Sequence, residues 1–175
     1  LLAAVVLGLY PGAPLGLSAY CIGTTLIMVM PLPSGDAHWQ PMAAFVPASS
    51  LAPEYLNFIV IEQFADWVGV SAAFGIPGAA INPTYEFLGT SRRIKHYIAR
   101  HEEGAVHAAD GFFRASGQMA LAICTSGPGA TNFVTGLYTA QVDSMPLIAI
   151  TGQNVTEQLG KEAFQCVDIA TIARP

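Results

Sequence analysis

Two apolar runs, MALAICT (residues 119–125) and PLIAIT (146–151), flank a stretch of helical character, and neither alternates apolar with polar residues. A strand that is apolar at every position must be covered on both faces, which requires helices on either side of a sheet and parallel strands joined by crossovers. The same rhythm continues upstream. SAAFG (71–75) is a short apolar run leading into a Pro/Gly turn and a short helix. IKHYIA (94–99) is rich in strand formers and runs into EEGAVHAADGFFRAS (102–116), a helix. SGPGATN (126–132) is a tight turn before FVTGLYTAQVD (133–143), a further helix. Strand and helix alternate throughout, so the expected fold is α/β: a doubly wound parallel sheet with helices on both faces. Ahead of these units, EYLNFIVIEQFADWVG spaces Leu56, Ile59, Val60, Phe64 and Trp67 at helical intervals and stops at Gly69, as an amphipathic helix does.

This regular part begins near residue 54. From Leu1 to Ser50 the only formally charged side chain is Asp36, whereas from Glu54 onward acids and bases are mixed normally. LGLSAYCIGTTLIMVM (15–30) is apolar over the length of a short membrane span or a signal core, which leaves a membrane or targeting segment open. Against that stand the absence of a basic flank, the interruptions at Pro11 and Pro14, and the Pro-rich connector PLPSGDAHWQP. The expectation is an apolar extension of uncertain structure over residues 1–53 that adds nothing to the folded core, followed by one domain over 54–175.

Net charge is −5 and the basic residues form no dense cluster, which argues against nucleic acid and against an anionic membrane surface as partners. Cys21, Cys124 and Cys166 are odd in number and widely spaced, as unpaired thiols in a reducing compartment are. A cytoplasmic location is expected, with an organelle left open.

Ligands of parallel α/β sheets bind beyond the carboxyl ends of the strands. Four segments hold those positions: GIPGAA (75–80), RHEEGA (100–105), TSGPGATN (125–132) and TGQNVTEQ (151–158), and all are polar or rich in Gly and Pro. TSGPGATN has the placement of a phosphate cradle but lacks the third glycine of GxGxxG and the Gly-Lys-Ser/Thr of a Walker loop. With Pro128 between two glycines it suits contact with a flat ring, and a plain strand-to-helix turn is the alternative. The acids of RHEEGA fall in a first helical turn, where the helix dipole favours them by about 0.3–1 kcal/mol. That accounts for Glu103. Glu102, if turned into a crevice lined by Ile76, Pro77, Pro128 and Phe164, becomes a carboxyl able to hold or release a proton near neutrality. His101 and His107 have no Ser or Cys nucleophile to serve, and the metal-ligand spacings are missing.

FGIPGAAINPTYEFL, RHEEGAVHAADGFFRASG, CTSGPGATNFVTGLYTAQVDSMPLIAITGQ and KEAFQCVDI, in this order and spacing, resemble the N-terminal pyrimidine-binding domain of thiamine-diphosphate-dependent carboligases of the acetolactate synthase group. The resemblance covers about Tyr55 to Pro175. It implies that Glu102 bonds N1′ of the cofactor's aminopyrimidine and so promotes loss of the thiazolium C2 proton, ahead of attack on a 2-oxo acid. It implies that Gly127, Pro128 and Asn132 lie against the pyrimidine. Gly78 and Ala79 would flank the reacting carbon, Pro77 would join them in binding the cofactor, and Gln153, Phe164 and Gln165 would line the cofactor, substrate or flavin side.

Within the group, GIPGAAINP and KEAFQCVDIATIARP are closer to glyoxylate carboligase, and RHEEGA and TSGPGATN to acetolactate synthase. Glyoxylate carboligases typically carry Val at the position of Glu102, which favours the acetolactate type. The resemblance further implies Mg2+ and FAD held by other domains, a homodimer or larger assembly, and an active site shared between subunits. A Gly-Asp-Gly half-site for magnesium and diphosphate is not among these residues, so the 175 residues alone are expected to be inactive. The alternative of another class is a non-catalytic interaction domain with the same fold, with membrane contact through its apolar N-terminus.

Overall fold

The computed structural model describes residues 18–22, 25–29, 69–154, 158 and 160–173. The helix expected over residues 54–69 lies outside the described residues apart from its terminal glycine, Gly69, which has a left-handed φ of 70°.

Four parallel strands form the body of the sheet: β3 (Ala72–Gly75), β4 (Lys95–Ile98), β5 (Leu121–Cys124) and β6 (Ile148–Gly152), in the order β6-β5-β3-β4. β5 and β6 are buried at every position, as their unbroken apolar sequence requires. β4 is the outer strand and is largely exposed, with Tyr97 and Ile98 open to solvent. Register sets Gly75 beside Ile98 and Cys124 beside Thr151, so the carboxyl ends of all four strands reach one edge.

The helices are α1 (Asn82–Thr90), α2 (Glu102–Ser116), α3 (Pro128–Thr131), α4 (Val134–Val142) and α5 (Ile169–Ile172). Alternation along β5 and β6 divides the core in two. Leu121, Ile123, Ile148 and Ile150 pack with Ile81, Phe87 and Leu88 around α1. Ala122, Cys124 and Ala149 point the other way, into a core with Ala105, Val106 and Ala109 of α2 and Leu137 and Ala140 of α4. Small residues on that second face let the helices lie close. A Cβ added at Gly136 would sit 2.6 Å from Cβ of Val106, so α2 and α4 meet where only glycine fits. Their ends are also joined, since Arg114 donates to Asp110 at 2.8 Å and to Asp143 at 2.6 Å.

Two strands come from the apolar extension. β1 (Ser18–Ile22) and β2 (Thr25–Val29) pair antiparallel, and β2 pairs antiparallel with β6, Ile27 opposite Ile150. The outer edge of β6 carries unpaired N–H and C=O groups, and an extended segment of strand formers satisfies them. These ten residues therefore extend the sheet from a stretch that composition alone sets apart from the domain. Among the described residues no helix is long and apolar enough to cross a membrane.

Candidate functional site

The glycines of the strand-end turns show how tightly those turns converge. A Cβ at Gly75 would lie 1.9 Å from the Ile123 carbonyl oxygen, one at Gly78 2.6 Å from Thr125 Cβ, and one at Gly152 2.7 Å from the Ala80 carbonyl oxygen. The turns after β3, β5 and β6 therefore touch through bare backbone. Gly127 adopts φ 62°, a left-handed conformation that opens α3, and its Cα faces the Cα, Cβ and carbonyl oxygen of Gln165. What reads as a tight turn in SGPGATN is a left-handed glycine followed by one helical turn with Pro128 at its start.

Glu102 enters this cluster from the fourth turn. It is the first residue of α2, half-buried, and His101 caps the helix by accepting the Glu103 N–H at Nδ1, 3.3 Å away. The Glu102 carboxylate points toward the Gly-rich turn: Oε2 accepts from Asn132 Nδ2 at 3.0 Å, and Oε1 lies 3.4 Å from where a Gly129 Cβ would be. Cys124 lies in the same region, its Cβ 3.9 Å from that point. Burial, reinforced by the Glu102 carboxylate, pushes the Cys124 thiol well above its ordinary range. It stays protonated and is no thiolate nucleophile.

The other residues singled out from the sequence divide into a rim and an interior. Pro77, Ala79 and Pro128 are exposed, and Phe164 is 86% exposed; Gly78, Asn132, Gln153 and Gln165 are half-buried and Gly127 is buried. Gln153 is engaged with protein: its Nε2 donates to the Val167 carbonyl at 3.0 Å and its Oε1 accepts the Asn154 N–H at 2.9 Å. Gln165 is in the left-handed region at φ 56°. His107 faces Glu103 at 3.6 Å on the outer side of α2, and among the described residues no group of three or more His, Cys, Asp and Glu could hold a metal.

Two members of this cluster escaped the sequence reading. Asn154 latches the 164–167 segment, donating through Nδ2 to the Phe164 carbonyl at 3.0 Å. Thr125, at the end of β5, has a buried hydroxyl with no hydrogen-bond partner beside the Gly78 turn. Asn154 stands directly after a β-strand's polar end, which is the signal that could have found it. Thr125, directly after β5 at the head of TSGPGATN, carries the same signal.

The cluster thus joins a half-buried acid, glycines whose Cα atoms are bare, and an unpartnered hydroxyl at the carboxyl edge of a parallel sheet. The sequence profile described as thiamine pyrophosphate enzyme, N-terminal TPP binding domain, matches residues 58–172, well over half of the chain. The chain belongs to this family. Among curated relatives, the acetolactate synthase of Mycobacterium avium is 48% identical over 108 residues, covering 62% of this chain and 17% of the relative. The glyoxylate carboligase of Escherichia coli O157:H7 is 49% identical over 108 residues, 61% of this chain and 18% of the relative. The acetolactate synthase large subunit of Corynebacterium glutamicum is 42% identical over 142 residues, 79% of this chain and 23% of the relative. The chain thus spans about a fifth of the length of the relatives it matches.

The residues present fit a thiamine diphosphate ring. An acid faces the glycine side of the family's turn, where a Cβ at Gly129 would press on Thr125 Cγ2 at 3.0 Å and on Glu102 Oε1 at 3.4 Å. No Lys or Arg pairs with Glu102 among the described residues, so its charge is not locked by an ion pair.

Proposed function

We propose that this domain binds the aminopyrimidine half of thiamine diphosphate within a carboligase of the acetolactate synthase type, acting on pyruvate to form 2-acetolactate. One observation carries the reading: the Glu102 carboxylate is held by Asn132 against the glycine side of the SGPGATN turn. Bound thiamine diphosphate supplies the electron sink for decarboxylating a 2-oxo acid and joining the remaining carbons to a second carbonyl.

The residues of this chain bind, orient and move a proton. Glu102, held by Asn132 at Oε2, would hold or move a proton at its carboxyl group toward a bound aminopyrimidine. Pro128, exposed between two buried glycines, offers the flat ring an apolar surface, and Gly127 and Gly129 keep the turn compact behind it. Gly78, packed on Thr125, keeps the turn after β3 close to that surface, and Ala79 lies on its open side. Phe164 and Gln165, latched by Gln153 and Asn154, line the side by which a small 2-oxo acid enters. Magnesium, the diphosphate and FAD are assigned to other domains of the enzyme, and a dimer completes the site.

Glyoxylate as substrate is the second reading, and the similarity to the E. coli glyoxylate carboligase supports it. The presence of Glu102 favours pyruvate. The test is product analysis of the full-length enzyme with thiamine diphosphate and Mg2+, offered pyruvate and glyoxylate separately. Acetolactate is expected from pyruvate, with E102Q slowing C2 proton exchange in the bound cofactor by roughly a hundredfold or more, the scale of general acid-base catalysis. Tartronate semialdehyde without acetolactate would move the assignment to glyoxylate. Unchanged exchange in E102Q would remove Glu102 from the chemistry.

A further inference from the structure

We propose that Asn132 is a positioning residue for Glu102: by holding Oε2 it confines the exchangeable proton of the carboxyl group to Oε1. The inference rests on the proposed function for its consequence, but its geometry is independent of any ligand.

Both ends of the bond are fixed. Glu102 opens a capped fifteen-residue helix, and Asn132 closes the turn Pro128–Thr131 with its N–H donated to the Pro128 carbonyl at 3.0 Å. The next residue, Phe133, is fully buried and pins the chain there. The 3.0 Å bond from Asn132 Nδ2 to Glu102 Oε2 thus ties two elements thirty residues apart. An ionised carboxylate only accepts, so the amide must turn its NH2 toward it, and that NH2 only donates. An oxygen receiving such a bond is a poor place for a proton. Oε1 meets the bare Cα side of Gly129 instead and is free to carry one.

A neutral amide has a further merit over a cation here. Lys or Arg at this distance would form an ion pair with the carboxylate, whereas an amide orients it without adding a charge. The titratable groups around Glu102 are His101 and Glu103 on its own element and the protonated Cys124 thiol on β5; from the Gly-rich turn only Asn132 reaches it. Asn132 therefore reaches the chemistry through its bond to Glu102.

The test uses the full-length protein and two readouts. In the absence of cofactor, the infrared difference between the protein and E102Q isolates the Glu102 carboxylate bands. Asn132→Ala is expected to shift those bands, and Asn132→His, whose Nδ1–H can replace the amide donor, is expected to restore them. With thiamine diphosphate bound, Asn132→Ala is expected to slow C2 proton exchange by about ten- to a hundredfold, the loss of one hydrogen bond to a charged group. Its Kd for thiamine diphosphate should stay within about threefold, because a residue that does not touch the ring contributes nothing directly to its binding. Bands that do not move in Asn132→Ala would overturn the proposal, and so would a Kd that weakens in step with exchange, which marks a ring contact. If thiamine diphosphate binds neither protein, the proposed function fails, while the infrared bands alone decide the role of Asn132.

Discussion

Gly127 and Gly117 share a left-handed φ but not the same surroundings, and the difference separates strain from crowding. Gly117 ends α2 with φ 70° and has nothing within 4 Å of an added Cβ, so Gly117→Ala should cost about 1–2 kcal/mol, the penalty for an L-residue in that region. Gly127 combines φ 62° with ψ −123°, outside the αL well that holds Gly117 at ψ 7°, so its strain is at least as large, and Gln165 backbone lies 2.8 Å away, an obstruction that no rotamer change can clear. Gly127→Ala should therefore cost roughly 2–4 kcal/mol, with overpacking added to strain, and should displace the 164–167 segment. Chemical denaturation of the two variants side by side measures this; equal losses would show that the Gly127–Gln165 contact carries no energy. These glycines and Glu102 are legible in the sequence because a sharp turn between apolar runs calls for glycine, and an acid stands out at the end of an apolar strand. That Asn132 bonds Glu102, or that Gln153 bonds the Val167 carbonyl, is not legible, since which polar group meets which depends on the distances between turns that are far apart in the chain.

At the scale of elements, apolar patterning alone places β5, α2 and β6, because burial on both faces and a capped, glycine-terminated helix each leave a local trace. The exposure of β4 is less legible: IKHYIA is rich in strand formers but mixes Lys95 and His96 with apolar residues, and its place at the end of the order β6-β5-β3-β4 exposes Tyr97 and Ile98. The α2–α4 crossing is likewise a property of the pair. Gly136→Ala gains about 1 kcal/mol of helix propensity but sets a methyl 2.6 Å from Val106 Cβ, a branched atom at the root of a fully buried side chain. Overpacking of about 1–3 kcal/mol offsets or exceeds that gain, so Gly136→Ala is expected to destabilise by up to about 2 kcal/mol net. A Val106→Ala background removes the Cγ1 contact at 2.8 Å but keeps the Cβ at 2.6 Å, so the same substitution should cost less there without becoming free. A double-mutant cycle by denaturant unfolding checks the coupling, which should exceed about 0.5 kcal/mol. Additive effects would mean that the helices can separate at no cost.

For the whole molecule the open question is what the apolar extension does for a domain that has two cores of its own. Both cores, as described, are built from residues 70–169, with Val70 and Ile169 at their limits. β1 and β2 join from outside and meet the sheet through β6 backbone, five residues of β2 in register. Pairing them gains hydrogen bonds worth about 1 kcal/mol each, while ordering the backbone costs about 1–2 kcal/mol per residue, so the ladder by itself is close to neutral or unfavourable. Its physical effect is to make β1 the outer strand in place of β6, which is buried at every position and would otherwise form an apolar open edge. A protein lacking residues 1–50 should therefore keep its helical circular dichroism, with Tm lowered by no more than about 4 °C, the equivalent of roughly 1 kcal/mol at this size. What should change is self-association, measured by sedimentation across a concentration series, because the β6 edge becomes available between molecules. A fall in Tm beyond about 10 °C without added association would instead make the extension part of the folding unit, since the loss would then exceed what covering an edge provides.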